Sequence, residues 1–207
     1  MKIKKFELVA ESNITFLGRK LFRIKALISF GNVNAGDLGG YVEKESNLDH
    51  NGNAWVYGDA WVCGNARVCG NARVCDNARG CDNARVCDNA RVCGNARVYG
   101  NALVCDNAEV YGDAWVCGNA RVYGNALVCD NAEVCGNADY TTIKGFGSCF
   151  RSSTFFRCKD KMVRVVCGCF FGTIPEFRDK VKETHGTTKY AEEYLMIADL
   201  MEKHFAD

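Results

Sequence analysis

Few side chains in this 207-residue sequence are equipped for chemistry, and they fall into three groups: three histidines, fourteen cysteines, and one run of basic and aromatic residues. A general base has to lie within hydrogen-bond reach of the proton it removes, and near neutral pH imidazole is its usual form. His185 and His204 sit far down the chain, whereas His50, beside the start of a regular repeat, is the one candidate base. The plainer account of His50 is a solvated turn residue, and no other catalytic residue is assigned.

Ten of the cysteines, from Cys63 to Cys135, are spaced by multiples of six and recur only because the repeat does. In a reducing compartment they act as small, soft fillers. Cys69, Cys87 and Cys105 should fall in one row, but a closed zinc site wants four ligands arranged tetrahedrally and a flat ladder cannot wrap an ion. No metal and no cofactor is expected. Cys167 and Cys169, near Cys158, read as strand fillers. Neighbours in a ladder fall within the Cα range that a disulfide tolerates, so oxidation would crosslink them.

The third group is Lys144, Phe146, Phe150, Arg151, Phe155, Phe156, Arg157, Lys159, Lys161 and Arg164. Cations interleaved with rings suit a nucleic acid, whose phosphates pair with the cations and whose bases stack on the rings. The competing account is a hairpin that buries its phenylalanines against the rest of the fold.

Positioning these groups falls to a repeat. Alanine stands at Ala54 and at every sixth residue to Ala138, fifteen positions without insertion or deletion. The unit is Ala-Arg-Val-Cys/Tyr-Gly/Asp-Asn, and its valine column, Val56 to Val134, is interrupted at Gly80. Six residues at a helical ~100° each would scatter successive valines around all sides, whereas six at a strand's ~180° return every valine to one face. Each short strand ends at Gly-Asn, Asp-Asn or Gly-Asp, the residues that accept left-handed or turn backbone. A chain that turns this often must coil.

This pattern resembles the left-handed parallel β-helix of the hexapeptide-repeat superfamily, in which an aliphatic residue points inward, a small residue follows four positions later, and three hexads close a triangular coil. The resemblance implies about five coils at the ~4.8 Å strand spacing, a prism of about 24 Å. Residues eighteen apart then stack into three walls. One carries Trp55, Arg73, Arg91, Glu109 and Leu127; the second Trp61, Arg79, Arg97, Trp115 and Glu133; the third Arg67, Arg85, Leu103, Arg121 and Asp139. Gly80 should leave a small void between Val62 and Val98.

The whole reads as mainly β: an N-terminal β-hairpin cap in residues 1–41, the β-helix in 42–140, and a C-terminal ββαα module in 141–207. Lys5–Val9 and Leu21–Ile28 alternate like strands, as do Thr154–Cys158 and Met162–Cys167. Thr173 and Glu176 form a capping-box signature ahead of a helix that turns Ile174, Phe177 and Val181 inward, and a second helix from about Lys189 to His204 turns Tyr190, Tyr194, Ile197 and Met201 inward. The end pieces cap strand edges that an open solenoid would expose.

The formal net charge of +1 hides an uneven split, with basic excess in residues 1–30 and 141–170. No apolar run is long enough to span a membrane, and polar residues follow Met1-Lys2-Ile3 where a secretory signal would need an apolar stretch, so the expected setting is cytoplasmic and no membrane partner is expected. A closer resemblance rests on Lys25–Val42 with Gly52-Asn53-Ala54-Trp55-Val56, similar to the opening of hexapeptide-repeat proteins of the acyltransferase type, and on Gly145–Ser148, Cys167–Phe170 and Lys182–Gly186, similar to small accessory proteins of phages and prophages. The transferase label of such relatives rests on fold and carries no catalytic residue over. The expected function is a non-catalytic binding scaffold, phage- or prophage-encoded, whose partner is a protein, a host factor it inhibits being one case. Its binding residues are Trp55, Trp61, Trp115, Arg73, Arg91, Arg79, Arg97, Arg151, Arg157, Lys159, Lys161, Arg164 and Phe155. The alternatives are an acyltransferase taking an acyl-coenzyme A donor, nucleic-acid binding through the basic hairpin, and self-assembly to a dimer or trimer through the tryptophans.

Overall fold

A hexad that buries its alanine and valine and turns at its last two residues makes strands too short to do anything but wind. The structure, a computed structural model, describes residues 3–206. Strands β1 (Phe6–Phe16), β2 (Arg19–Ala26) and β3 (Leu38–Val42) come first, and fourteen two-residue strands, β4–β17, follow from Trp55–Val56 to Glu133–Val134. Strands β18 (Tyr140–Phe146), β19 (Arg151–Arg157), β20 (Val163–Cys167) and β21 (Phe170–Thr173) precede helices α1 (Ile174–His185) and α2 (Lys189–His204).

The short strands pair in parallel with partners eighteen residues away. Trp55, Arg73, Arg91, Glu109 and Leu127 form one wall. Tyr41, Trp61, Arg79, Arg97, Trp115 and Glu133 form the second, and Arg67, Arg85, Leu103 and Arg121 the third. This is the register that the sixfold spacing predicts: a parallel β-solenoid of about five coils. Val42 and Leu48 join it early, opposite Val62 and Val68. Asp139 leaves the third wall, because its carboxylate turns back to accept from the amides of Cys135 and Gly136 at 2.9 and 2.7 Å.

Inside, the valine column and the alanines from Ala54 to Ala132 are buried, most of them completely. Each valine is worth ~1.5–3 kcal/mol of gross hydrophobic stabilisation. The corners hold because their residues accept positive φ: Gly70 lies at φ +69, where an added Cβ would meet the Asp88 amide nitrogen at 2.8 Å, and aspartates such as Asp76 at φ +60 serve the same turn. Asparagine ladders tie the corners together, the amide of Asn53 donating to Asn71 at 3.1 Å and so on through Asn89 and Asn107 to Asn125.

Gly80 leaves the expected gap, a cavity of about 10 Å³ lined by Val62, Gly80, Val86 and Val98 among others. A Cβ there would meet only the two methyls of Val62, at 3.8 Å, which is ordinary contact. Gly80→Val is therefore expected to add about 1–2 kcal/mol, from apolar burial and a stiffer unfolded chain. That corresponds to a rise of ~2–8 °C in melting temperature. An unchanged or lower melting temperature would contradict the register.

At the N-terminal end, β1 and β2 form an antiparallel hairpin that pairs through β3 onto the second wall. Phe6, Ile24 and Val33 continue the solenoid core. The Lys5 ammonium is buried there, donating to the carbonyls of Ala54 at 2.9 Å and Gly52 at 3.4 Å and lying 4.8 Å from the Phe30 ring. Burial lowers its pKa from 10.5 to about 8, against the pull of Asp49. Between those values the unfolded chain holds the extra proton, so stability is expected to rise as pH climbs from about 8 to 10.5, the cost of the buried charge being fully present below that window. Lys5→Met should flatten this rise; a melting-temperature difference between variant and wild type that does not change with pH would show that Lys5 titrates normally.

At the other end, Tyr140, Phe156, Cys158 and Val166 close the column. The expected hairpin is the central pair, β19–β20, of a four-stranded antiparallel sheet whose outer members are β18 and β21. Helices α1 and α2 pack on it, burying Ile174, Phe177, Val181, Tyr194, Ile197 and Met201 with Phe155 and Val165. The capping box is formed, Thr173 N donating to Glu176 at 2.7 Å. Tyr190 differs from expectation: in the first turn of α2 it is 39% exposed, its ring beside that of His185 at the end of α1, 6.3 Å away.

Candidate functional site

Arginine is the commonest outward residue of the hexads, and the three-wall register groups it. Arg67, Arg73 and Arg79 occupy one coil, and Arg85, Arg91 and Arg97 stand directly on them, rung on rung. Six guanidinium groups thus girdle two adjacent coils. The corner carboxylates nearest in sequence pair with none of these arginines: one oxygen of Asp76 accepts from the Gly94 amide at 3.0 Å and one of Asp82 from the Gly100 amide at 3.1 Å. Among the described residues the one ion pair made by the belt joins Arg91 to Glu109, at 3.5 Å.

Trp115 sits just beyond the belt, half-buried, with Arg97 at 5.2 Å and Lys159 Nζ at 4.2 Å from its ring centroid. Lys159 also donates to the Asp113 carbonyl at 2.9 Å, so the C-terminal sheet is clasped to the second wall here. Cation–π contacts of this kind contribute ~0.5–1 kcal/mol at exposed sites.

Other predicted binding residues are not on open surface. Trp55 is 1% exposed, packed against Phe6 and Phe30, and Trp61 is 8% exposed beneath Phe16 of the hairpin, with Arg79 across both Trp61 and Phe16. Both point outward from the coil as the register requires, but the N-terminal cap covers them, so neither can pack against a second copy. Phe155 and Phe156 are fully buried, and the expectation that Phe155 binds is corrected. Arg157 pairs with Asp139 and donates to the Phe205 carbonyl. Arg164 forms a fork with Asp160 at 3.0 and 2.7 Å that holds the Asp160 carboxyl below its usual range. Of the basic and aromatic run, Lys144, Phe146, Phe150, Arg151, Lys159 and Lys161 remain exposed.

His50 is held at both nitrogens. Its Nδ1 accepts from the Lys5 amide at 3.1 Å, its Nε2 lies 2.7 Å from Glu45, and its ring stacks on Phe6 at 4.4 Å. The lone pair a general base would use is already occupied.

A cleft of about 220 Å³ between the C-terminal sheet and α1 went unforeseen; it gathers Cys149, Arg151, Cys167, Cys169, His185 and Tyr194. The His185 ring stacks on Tyr194 at 5.8 Å, and burial pushes the Tyr194 hydroxyl up to about 12. These residues come from separate stretches of chain, and only their chemical type could have flagged them.

The thiol ladders form as predicted. Cys117 and Cys135 are joined in a disulfide with Cα atoms 4.4 Å apart. Beside the Cys75 thiol, whose hydrogen bond favours the thiolate, Cys93 is lowered to about 7, while Cys75 itself is raised.

The sequence profile of the YdcK Beta solenoid repeat matches residues 90–106 and 114–130, within the stacked coils. No curated protein matches the chain.

Proposed function

We propose that this chain is a non-catalytic, rigid scaffold that uses its arginine belt to dock an acidic surface of a protein partner in the cytoplasm. The observation that carries the reading is the three Arg–Arg rungs, Arg67 on Arg85, Arg73 on Arg91 and Arg79 on Arg97. Like charges opposed across a strand pair destabilise a sheet by roughly 0.2–1 kcal/mol. A repeat that places carboxylate opposite arginine at Glu109 holds both kinds of residue, so the belt is a cost that folding does not require and that an anionic partner would relieve. Arginine is a frequent interface anchor, and on a rigid solenoid no backbone ordering remains to be lost on binding.

The resemblance of the C-terminal segments to phage accessory proteins makes a host factor the partner class to try first. The immobilised chain is expected to capture such a protein from host lysate and release it at high salt. A variant with Arg67, Arg73, Arg85 and Arg91 all changed to glutamate should fold with the same circular dichroism and capture nothing; equal capture by both would overturn the proposal.

A further inference from the structure

Stacked thiols recur along the walls, but two of the pairs have a third ligand. The corner residue after Cys75 is Asp76, and the ligand atoms of Cys75, Asp76 and Cys93 all lie within 4.8 Å of one another. One hexad pair further on, those of Cys87, Asp88 and Cys105 do the same. The other pairs lack this feature: Gly64 follows Cys63 below Cys81, Gly70 follows Cys69 below Cys87, and Gly118 follows the disulfide-bonded Cys117. Where Asp82 and Asp106 do follow a cysteine, Tyr99 and Tyr123 stand eighteen residues on in place of the second thiol. A flat ladder of thiols cannot surround an ion, but at these two corners a carboxylate joins the thiol pair.

These carboxylates are held in place. One oxygen of Asp76 accepts from the Gly94 amide at 3.0 Å and one oxygen of Asp88 from the Asp106 amide at 3.5 Å, leaving the second oxygen of each for a ligand. The thiols are half-buried and the aspartates exposed, so an ion has a route in from solvent. Zinc–sulfur bonds of about 2.3 Å and zinc–oxygen bonds of about 2.0–2.2 Å put tetrahedral ligand atoms roughly 3.5–3.8 Å apart. Closing from within 4.8 Å asks for roughly 1.3 Å at most, which rotation of two cysteine side chains supplies.

We propose that each Cys-Asp-Cys corner binds a thiophilic divalent cation of the zinc class, through two thiolates and one carboxylate, with the fourth position open to solvent. Soft sulfur with one hard oxygen suits zinc or cadmium and does not suit magnesium or calcium. Binding forms two metal–sulfur bonds and releases each thiol proton to solvent, with no change of oxidation state. The ion bridges adjacent coils, so it binds the folded chain in preference to the unfolded one and stabilises the solenoid.

The test uses the full chain, kept reduced with a phosphine, and cadmium as the probe, read by thiolate-to-cadmium absorbance in the ultraviolet and by melting temperature. Two tightly held ions per chain are expected for the wild type, one for Cys93→Ser, and none for Cys93→Ser with Cys105→Ser. Cys81→Ser, which breaks the Cys63–Cys81 pair, where no third ligand is gathered, should leave both sites intact. Outer-shell groups alone are worth ~10–100-fold in metal affinity, so replacing the direct ligands by Asp76→Asn and Asp88→Asn should weaken binding by about 100-fold or more, in proteins whose thiols are untouched. A stoichiometry unchanged in the double serine variant, or an affinity indifferent to both asparagine changes, would overturn the proposal.

Discussion

Val104→Asp is expected to lower stability by about 4 kcal/mol or more, whereas Leu103→Asp, one residue away, should leave it unchanged or slightly raised. Val104 is completely buried, between Val86 and Val122 in the column. A carboxylate there has no partner and no water, and each coil depends on its neighbours, so the loss spreads along the stack. Leu103 faces outward on the same strand, between Arg85 and Arg121. A carboxylate at that position is paired across the sheet with arginine on both sides, a contact worth ~0.2–1 kcal/mol. Thermal unfolding of the two variants measures the difference, expected to be on the order of 10 °C. Equal effects would mean that the inside and outside of the coil have been misassigned.

Reversing the belt is expected to have the largest effect on binding. An interface arginine commonly contributes ~2 kcal/mol when truncated, and replacing it by glutamate adds repulsion against an acidic partner. Two such changes on one wall should therefore weaken a captured complex by about 1,000-fold, since each 1.4 kcal/mol is a factor of ~10. Pairwise reversal, Arg67 with Arg85 and then Arg73 with Arg91, identifies the wall that docks. Binding to the wild type should slow with added salt, because the belt steers association. Stability should hold when Arg67 and Arg85 are reversed, one like-charged rung replacing another, and should fall by roughly 0.2–1 kcal/mol when Arg73 and Arg91 are, because the ion pair of Arg91 with Glu109 becomes a like-charged contact. A complex indifferent to both reversals, and to that of Arg79 with Arg97, would remove the belt from the account.

The walls, the dry column and the turning corners were legible because a strict period of six permits one backbone solution: side chains alternate along a strand, and glycine or aspartate must stand where φ is positive. Helices α1 and α2 were legible from the Thr173–Glu176 box and the spacing of Phe177, Val181, Tyr194, Ile197 and Met201. The docking of the ends was not. Alternation marks β1 and β2 as strands but does not say that their hairpin lies over Trp55 and Trp61, and facing outward from a coil does not make a residue exposed. Lys5 gives no local sign of its burial, which depends on carbonyls at Gly52 and Ala54 that the solenoid turns toward it. The strands β18 and β21 contain Gly145 and Gly172 and lack clean alternation, and the cleft at His185 is assembled from segments that only tertiary packing brings together.

The measurement closest to the central claim is the distance between spin labels placed at Asn53 and Asn125. Both are exposed corner residues, seventy-two positions apart in sequence and joined in space by one asparagine ladder. Four coils at ~4.8 Å each predict a single narrow distribution centred near 20 Å, and narrowness itself reports the rigidity that the scaffold needs. A broad distribution, or one centred beyond about 40 Å, would mean that the hexads do not stack with a period of eighteen residues.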